Sequence, residues 1–183
     1  ARVSLDQLWV AILMIELGNL MGSSSSADHC SDIYAIAPEG FRAGFGHGHN
    51  EDWSQEVGGL YYYVKYTATP GADFADCAGF AYPGALIGWA STWNAHGVFM
   101  SVNTLTPRRI RPYGISTAFV QREAICGLGK GRGLDDVIAG LTAKNWSDGA
   151  SINLVDLHAR RMANVETYGS EHNVLEVTER MGN

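Results

Sequence analysis

The sequence is short of cysteine, proline and positive charge, and each shortage narrows what the chain can be. Three cysteines, Cys30, Cys77 and Cys126, stand far apart in 183 residues with no C-x-x-C pair. Their spacing supports neither a disulfide framework nor a structural zinc site, and an odd number leaves at least one free thiol. Five prolines against 22 glycines describe a chain of many turns and close backbone approaches rather than a bundle of long helices. Thirteen Lys+Arg face 19 Asp+Glu, a formal net charge of −6, with no basic block. Nucleic acid and anionic membrane surfaces, which need clustered positive charge, are therefore not expected partners. The longest uninterrupted apolar run, 8–15, is far below the roughly 20 residues that cross a bilayer. The glycines form neither G-x-G-x-x-G nor a Walker loop, so nucleotide binding has no support and no cofactor is expected.

What is present is a foldable core: 46% hydrophobic and 17% charged residues lie outside the composition of disordered chains. The most apolar stretch, 5–21, follows Ser4, and Ser4 with Gln7 fits a capping box, so a mostly buried helix is expected. Arg2 before the run and small residues after it make a signal peptide over 1–27 the rival reading, and localisation stays open. Ser23 to Ser26 reads as an exposed linker. Beyond it, β-branched, aromatic or alternating runs predict strands at 32–37, 59–67, 97–103, 152–157 and 162–168, with His158 to Arg161 turning one hairpin. Helices are expected from a Ser116 cap to about 128 and over 134–144. Segregated strands and helices indicate an α+β layered fold. The chain opens on Ala1 and closes soon after a strand-like stretch, so it is read as a processed product or a piece of a longer protein.

Three segments hold residues that do chemistry. Cys30 lies where the serine linker enters the first strand. It is either a half-buried strand-edge cysteine or a nucleophile, and a cut between His29 and Cys30 would leave its own α-amine as base. Residues 44–53 are the densest polar cluster. His47 and His49 alternate onto one strand face near Glu51 and Asp52, either as ligands for zinc or iron or as a glycine-rich strand ending in an Asn-Glu-Asp turn. In 83–104, Asn94-Ala95-His96-Gly97 is a hairpin turn. Asn103, at the far end of the following strand, either terminates it or offers an amide to an oxyanion. Trp53, Tyr61, Tyr62, Tyr63, Trp89 and Trp93 read first as core and second as an apolar pocket. Cys77 and Cys126 read as structural, and Arg122 as a buried ion-pair or carbonyl-capping residue.

The ordered set Cys30-Ser31, Gly48-His49-Asn50-Glu51-Asp52-Trp53, Trp93-Asn94-Ala95-His96-Gly97-Val98 leading to Val102-Asn103, and Arg111-Pro112-Tyr113-Gly114-Ile115 before Arg122-Glu123-Ala124 resembles the acyl-coenzyme A:isopenicillin N acyltransferase family of cysteine N-terminal-nucleophile hydrolases. The Gly-His-Asn-Glu-Asp form is nearer the branch with β-alanyl-amine hydrolases. The resemblance implies a four-layer αββα sandwich, with 1–29 as precursor helix and linker and 30–183 as a partial nucleophile-hydrolase domain whose family continues beyond this chain. It implies self-cleavage before Cys30, continued association of the two pieces, and an acyl-enzyme on Cys30 formed from a small amide or acyl substrate. Asp52 matches the acidic residue beside the nucleophile and Asn103 the oxyanion-stabilising asparagine; Trp53, His49 and Trp93 are the expected substrate contacts. His29 stands where the family usually has glycine. Two other readings are a metal-dependent hydrolase on His47, His49 and Asp52, and a non-catalytic domain that keeps the fold.

Overall fold

The structure is a computed structural model that describes residues 2–22, 30–52, 58–127 and 133–179. The serine linker, His29 and Trp53 lie outside the described residues. Helices α1 (Leu5–Ile12) and α2 (Met14–Leu20) open the chain. The expected capping box forms: Gln7 N–H donates to Ser4 Oγ (3.2 Å) and Ser4 N–H to Gln7 Oε1 (2.9 Å). The single helix expected over 5–21 is kinked at Leu13, whose ψ of 15° departs from helical geometry. No helix among the described residues is long and apolar enough to cross a membrane.

Strands β1 (Ser31–Ile36) and β2 (Phe45–Asn50) form an antiparallel hairpin of their own. The other seven strands are β3 (Tyr62–Tyr66), β4 (Cys77–Ala81), β5 (Thr92–Asn94), β6 (Val98–Leu105), β7 (Gly149–Asp156), β8 (Arg161–Tyr168) and β9 (Glu171–Val177). They make one antiparallel sheet in sequence order. The β5–β6 turn is the Asn94-Ala95-His96-Gly97 hairpin read from the sequence. Gly97 has φ 81°, and a side chain there would also meet His158. Helices α3 (Thr117–Cys126) and α4 (Leu134–Thr142) are inserted between β6 and β7.

Alternation along the strands decides what lies on each side of the large sheet. Met100, Leu154 and Ala163 face one another across β6, β7 and β8 and join the core with Val120, Ile125, Val137 and Leu141 of the two helices. Each fully buried Leu or Ile there contributes about 1.5–3 kcal/mol. The next row, Ser101, Asn153 and Asn164, is polar and faces the hairpin: Tyr34 Oη donates to Asn153 Oδ1 (2.8 Å) and to the Ala163 carbonyl (3.0 Å). The protein is thus α+β, and the described residues form two antiparallel sheets and four helices.

Two expectations need correction. Cys77 and Cys126 form a disulfide, with Cα atoms 5.3 Å apart across a sequence separation of 49. Cysteine counting missed it because β4 and the end of α3 are brought together only by the packed core. Ser116 precedes α3, but its hydroxyl makes no cap. The helix N-terminus is capped from another element, since Glu16 Oε1 of α2 accepts from Thr117 N–H (2.8 Å), Thr117 Oγ1 (3.0 Å) and Ser147 Oγ (3.1 Å). A buried carboxylate at a helix N-terminus is stabilised by the free N–H groups and the helix dipole.

Candidate active site

Cys30 stands at the entrance to β1, half-buried, and is the free cysteine among the described residues. Burial, and then the carboxylates of Glu51, Asp52 and Asp32, push its thiol up to about 11, although the Asp52 backbone N–H donates to it. It lines a cavity of about 40 Å³ together with Ile15, Asn19, Glu51, Asp52, Asn103, Thr117, Gln121 and Gly149. Three sequence candidates far apart in the chain, Cys30, Asp52 and Asn103, therefore share one enclosure. Asp52 is exposed and its carboxylate accepts from Asn50 Nδ2 at 2.9 Å. Asn103 Oδ1 and Gln121 Oε1 are buried with no hydrogen-bond partner among the described residues, which marks a polar wall that a ligand or water completes. Gly149 makes the β6–β7 end of the wall thin, because a Cβ there would lie 2.5 Å from the Leu105 carbonyl.

Next to the thiol runs a chain of charged side chains. His47 and His49 do alternate onto one face of β2, and the β1–β2 register sets Asp32 opposite His49. Asp32, 3% exposed, bridges both rings: its Oδ1 lies 2.5 Å from His47 Nε2 and its Oδ2 3.0 Å from His49 Nδ1. Ser101 Oγ donates to Asp32 Oδ1 at 2.6 Å. The far side of His49 meets Glu51, Nε2 to Oε2 2.7 Å, and Tyr82 Oη donates to Glu51 Oε1 at 2.7 Å. Burial opposes ionisation of Asp32, yet hydrogen bonds from His47, His49 and Ser101 prevail and hold its carboxyl well below the usual range. Burial likewise opposes the imidazolium of His49, and the two flanking carboxylates overcome it, pushing His49 up to about 9. Burial and the bond to Glu51 raise the Tyr82 phenol. At neutral pH the arrangement is an imidazolium clamped between two carboxylates.

This geometry alters the metal expectation. The donor atoms that come within 4.8 Å of one another among the described residues belong to Cys30, His49 and Glu51, not to His47, His49 and Asp52. Trp93 is 40% exposed, pairs with Phe99 across β5–β6, and rests 6.2 Å from the Tyr63 ring. It does not line the cavity.

Comparison with known proteins adds a family. The family model for acyl-coenzyme A:6-aminopenicillanic acid acyl-transferase matches residues 44–181, most of the chain. The chain belongs to this acyl-transferase family. Asp52 and Asn103 fall inside the matched residues, and Cys30 precedes them. No curated protein matches the chain. Membership in an acyl-transferase family supports an enzyme of acyl-transfer or amide-hydrolysis chemistry in general.

Sequence reasoning missed Asp32, Ser101 and Tyr82, which hold the polar chain, and Asn19 and Gln121, which line the cavity. Asp32 had a readable signal, since a strand from 31 paired with one ending at Asn50 sets it beside His49. Ser101 and Gln121 had none, because a serine within a strand and a glutamine within a helix look the same wherever they face.

Proposed function

We propose that the protein is a cysteine amidohydrolase or acyltransferase acting on a linear C–N amide bond of a small N-acyl compound, with Cys30 as its nucleophile after self-cleavage. The observation that supports this most directly is that Cys30, Asp52 and Asn103 line one cavity in a chain of an acyl-transferase family. The layering, with α3 and α4 on one face of the large sheet and the hairpin on the other, supports reading the fold as the αββα sandwich of N-terminal-nucleophile hydrolases.

Self-cleavage would begin with Cys30 Sγ attacking the carbonyl carbon of residue 29. The peptide C–N bond breaks, the nitrogen keeps its electron pair and takes the proton given up by Sγ to become the new α-amine, and water then hydrolyses the thioester to the carboxylic acid of residue 29 and the free thiol. The freed amine explains how a thiol held so strongly protonated becomes reactive: it accepts the Sγ proton as sulfur attacks the substrate and passes it to the departing amine. Asn103 is the donor for the oxyanion, and the Asp52 main chain orients the sulfur. Water, or an acceptor amine in acyl transfer, releases the acyl group.

The precursor segment 1–29 would stay attached after the cut. Glu16 ties it to α3, Asn19 Nδ2 donates to buried Asp148 at 2.5 Å, and Ile12 packs with Trp89 and Ala118. Because Ile15 and Asn19 form part of the cavity wall, and 40 Å³ suits water rather than an acyl chain, substrate entry requires α2 to shift.

Intact-mass measurement of the expressed chain tests the reading. A cut before Cys30 is expected, with both the cut and hydrolysis of N-acyl amines lost in Cys30→Ala. Hydrolysis that persists in Cys30→Ala overturns the mechanism. Asn103→Ala should lower kcat about 10²–10³-fold with a smaller change in KM.

A further inference from the structure

We propose that Cys30, His49 and Glu51 form a ready-made three-ligand site for a borderline-soft divalent cation of the zinc type, which on binding caps the nucleophile and holds the enzyme inactive. Binding itself stands on geometry alone; the inhibitory consequence rests on Cys30 being the nucleophile.

The donor set is one thiol sulfur, one imidazole nitrogen and one carboxylate oxygen, all within 4.8 Å of one another. Zinc takes this mixture, with bonds of ~2.3 Å to sulfur and ~2.0–2.2 Å to nitrogen and oxygen, so its tetrahedral ligands sit about 3.3–3.7 Å apart. Seating the ion therefore draws the sulfur in and opens the His49 Nε2 to Glu51 Oε2 contact, now 2.7 Å, by under about 1 Å, movements within the range of side-chain torsions. The sulfur and imidazole disfavour magnesium and calcium, which take oxygen donors.

The support around the ligands distinguishes this cluster from a chance meeting of polar groups. A metal-bound imidazole is held by a hydrogen bond from its other nitrogen, commonly to a carboxylate. Here His49 Nδ1 lies 3.0 Å from Asp32 Oδ2, leaving Nε2 as the ligating atom. Asp32 is fixed in turn by Ser101 and His47. Tyr82 Oη holds the Glu51 oxygen that would point away from the ion, at 2.7 Å. With the thiolate and Glu51 supplying two negative charges and Asp52 nearby, the site neutralises a dication. Binding releases two protons to solvent, one from Sγ and one from the His49–Glu51 contact, and changes no oxidation state. Glu51 and Cys30 border the cavity, so an ion held by them would sit at its wall, on the sulfur that the proposed mechanism uses.

Cobalt absorption and zinc calorimetry on the full chain test this directly. One equivalent of Co²⁺ should produce a thiolate-to-metal charge-transfer band in wild type that is missing in Cys30→Ser. Zn²⁺ affinity should fall about 10–100-fold in Asp32→Asn, the change typical of removing an outer partner, and at least as far in Glu51→Gln. Circular dichroism and melting of Glu51→Gln, a partly exposed position, separate lost ligation from lost folding. Absence of the band in wild type, or its persistence in Cys30→Ser, overturns the site. If the band forms but saturating Zn²⁺ leaves hydrolysis unchanged, the site stands and the inhibitory role fails with the Cys30 mechanism. If no band forms while thiol alkylation abolishes hydrolysis, the mechanism stands and the metal site fails.

Discussion

At the scale of single residues, the charge around Cys30 decides its reactivity. Burial and three carboxylates favour the neutral thiol, so in the uncut chain alkylation by iodoacetamide should be slow at pH 7 and rise with an apparent pKa near 11. Glu51→Gln removes one of the carboxylates and should shift the alkylation profile to lower pH. A profile centred on the ordinary thiol value would contradict the described surroundings. His49 and Asp32 leave a mark on stability. The pKa of His49 is raised to about 9 on folding, so its contribution is full below its unfolded value near 6.5 and is lost as pH climbs through 9. Asp32 is depressed, so its contribution is present above the unfolded carboxylate range and fades only in strong acid. Denaturant unfolding should therefore show a loss of about 1–3 kcal/mol between pH 6.5 and 9, and His49→Gln should flatten that slope.

At the scale of elements, the anchor of α2 matters most. Glu16 fills a cap that Ser116 leaves unfilled, and its removal strands the Thr117 and Ser147 donors in a buried site. Glu16→Ala should cost about 1–3 kcal/mol and speed proteolysis within the first 20 residues before the sheet is attacked. The link between β4 and α3 gives a second prediction. The Cys77–Cys126 bridge constrains a long loop, and the Cys77→Ala/Cys126→Ala double variant should lose about 2–4 kcal/mol in denaturant unfolding while Cys30 remains the titratable thiol. Both features escape a linear reading for the same reason: a carboxylate in one helix serves a second helix about a hundred residues on, and no local pattern records the partner. The capping box at Ser4 and the Asn94–Gly97 turn were legible because cap and turn geometry is settled by neighbours within four residues.

At the scale of the whole molecule, the layers make the site. The helix pair buries one face of the seven-stranded sheet, which leaves the polar row through Ser101 and Asn153 for the hairpin to cover, and the hairpin brings Asp32, His49 and Cys30 with it. If the chain is cut before Cys30, the first segment should co-elute with the remainder in gel filtration and separate only in denaturant, since Glu16, Asn19 and Ile12 hold it. Early release under native conditions would refute that reading of α1 and α2.

The sequence by itself determined the α+β class, the family, the chain positions of Cys30, Asp52 and Asn103, and the free thiol, because composition, periodicity and short motifs are carried by residues close together in the chain. Only the tertiary structure decided that these three line one cavity, that Asp32 and Glu51 clamp His49, that Cys77 meets Cys126, and that Trp93 is not among the residues lining the cavity. Those facts depend on strand register and on which face each layer covers, and both are set by burying the whole core at once.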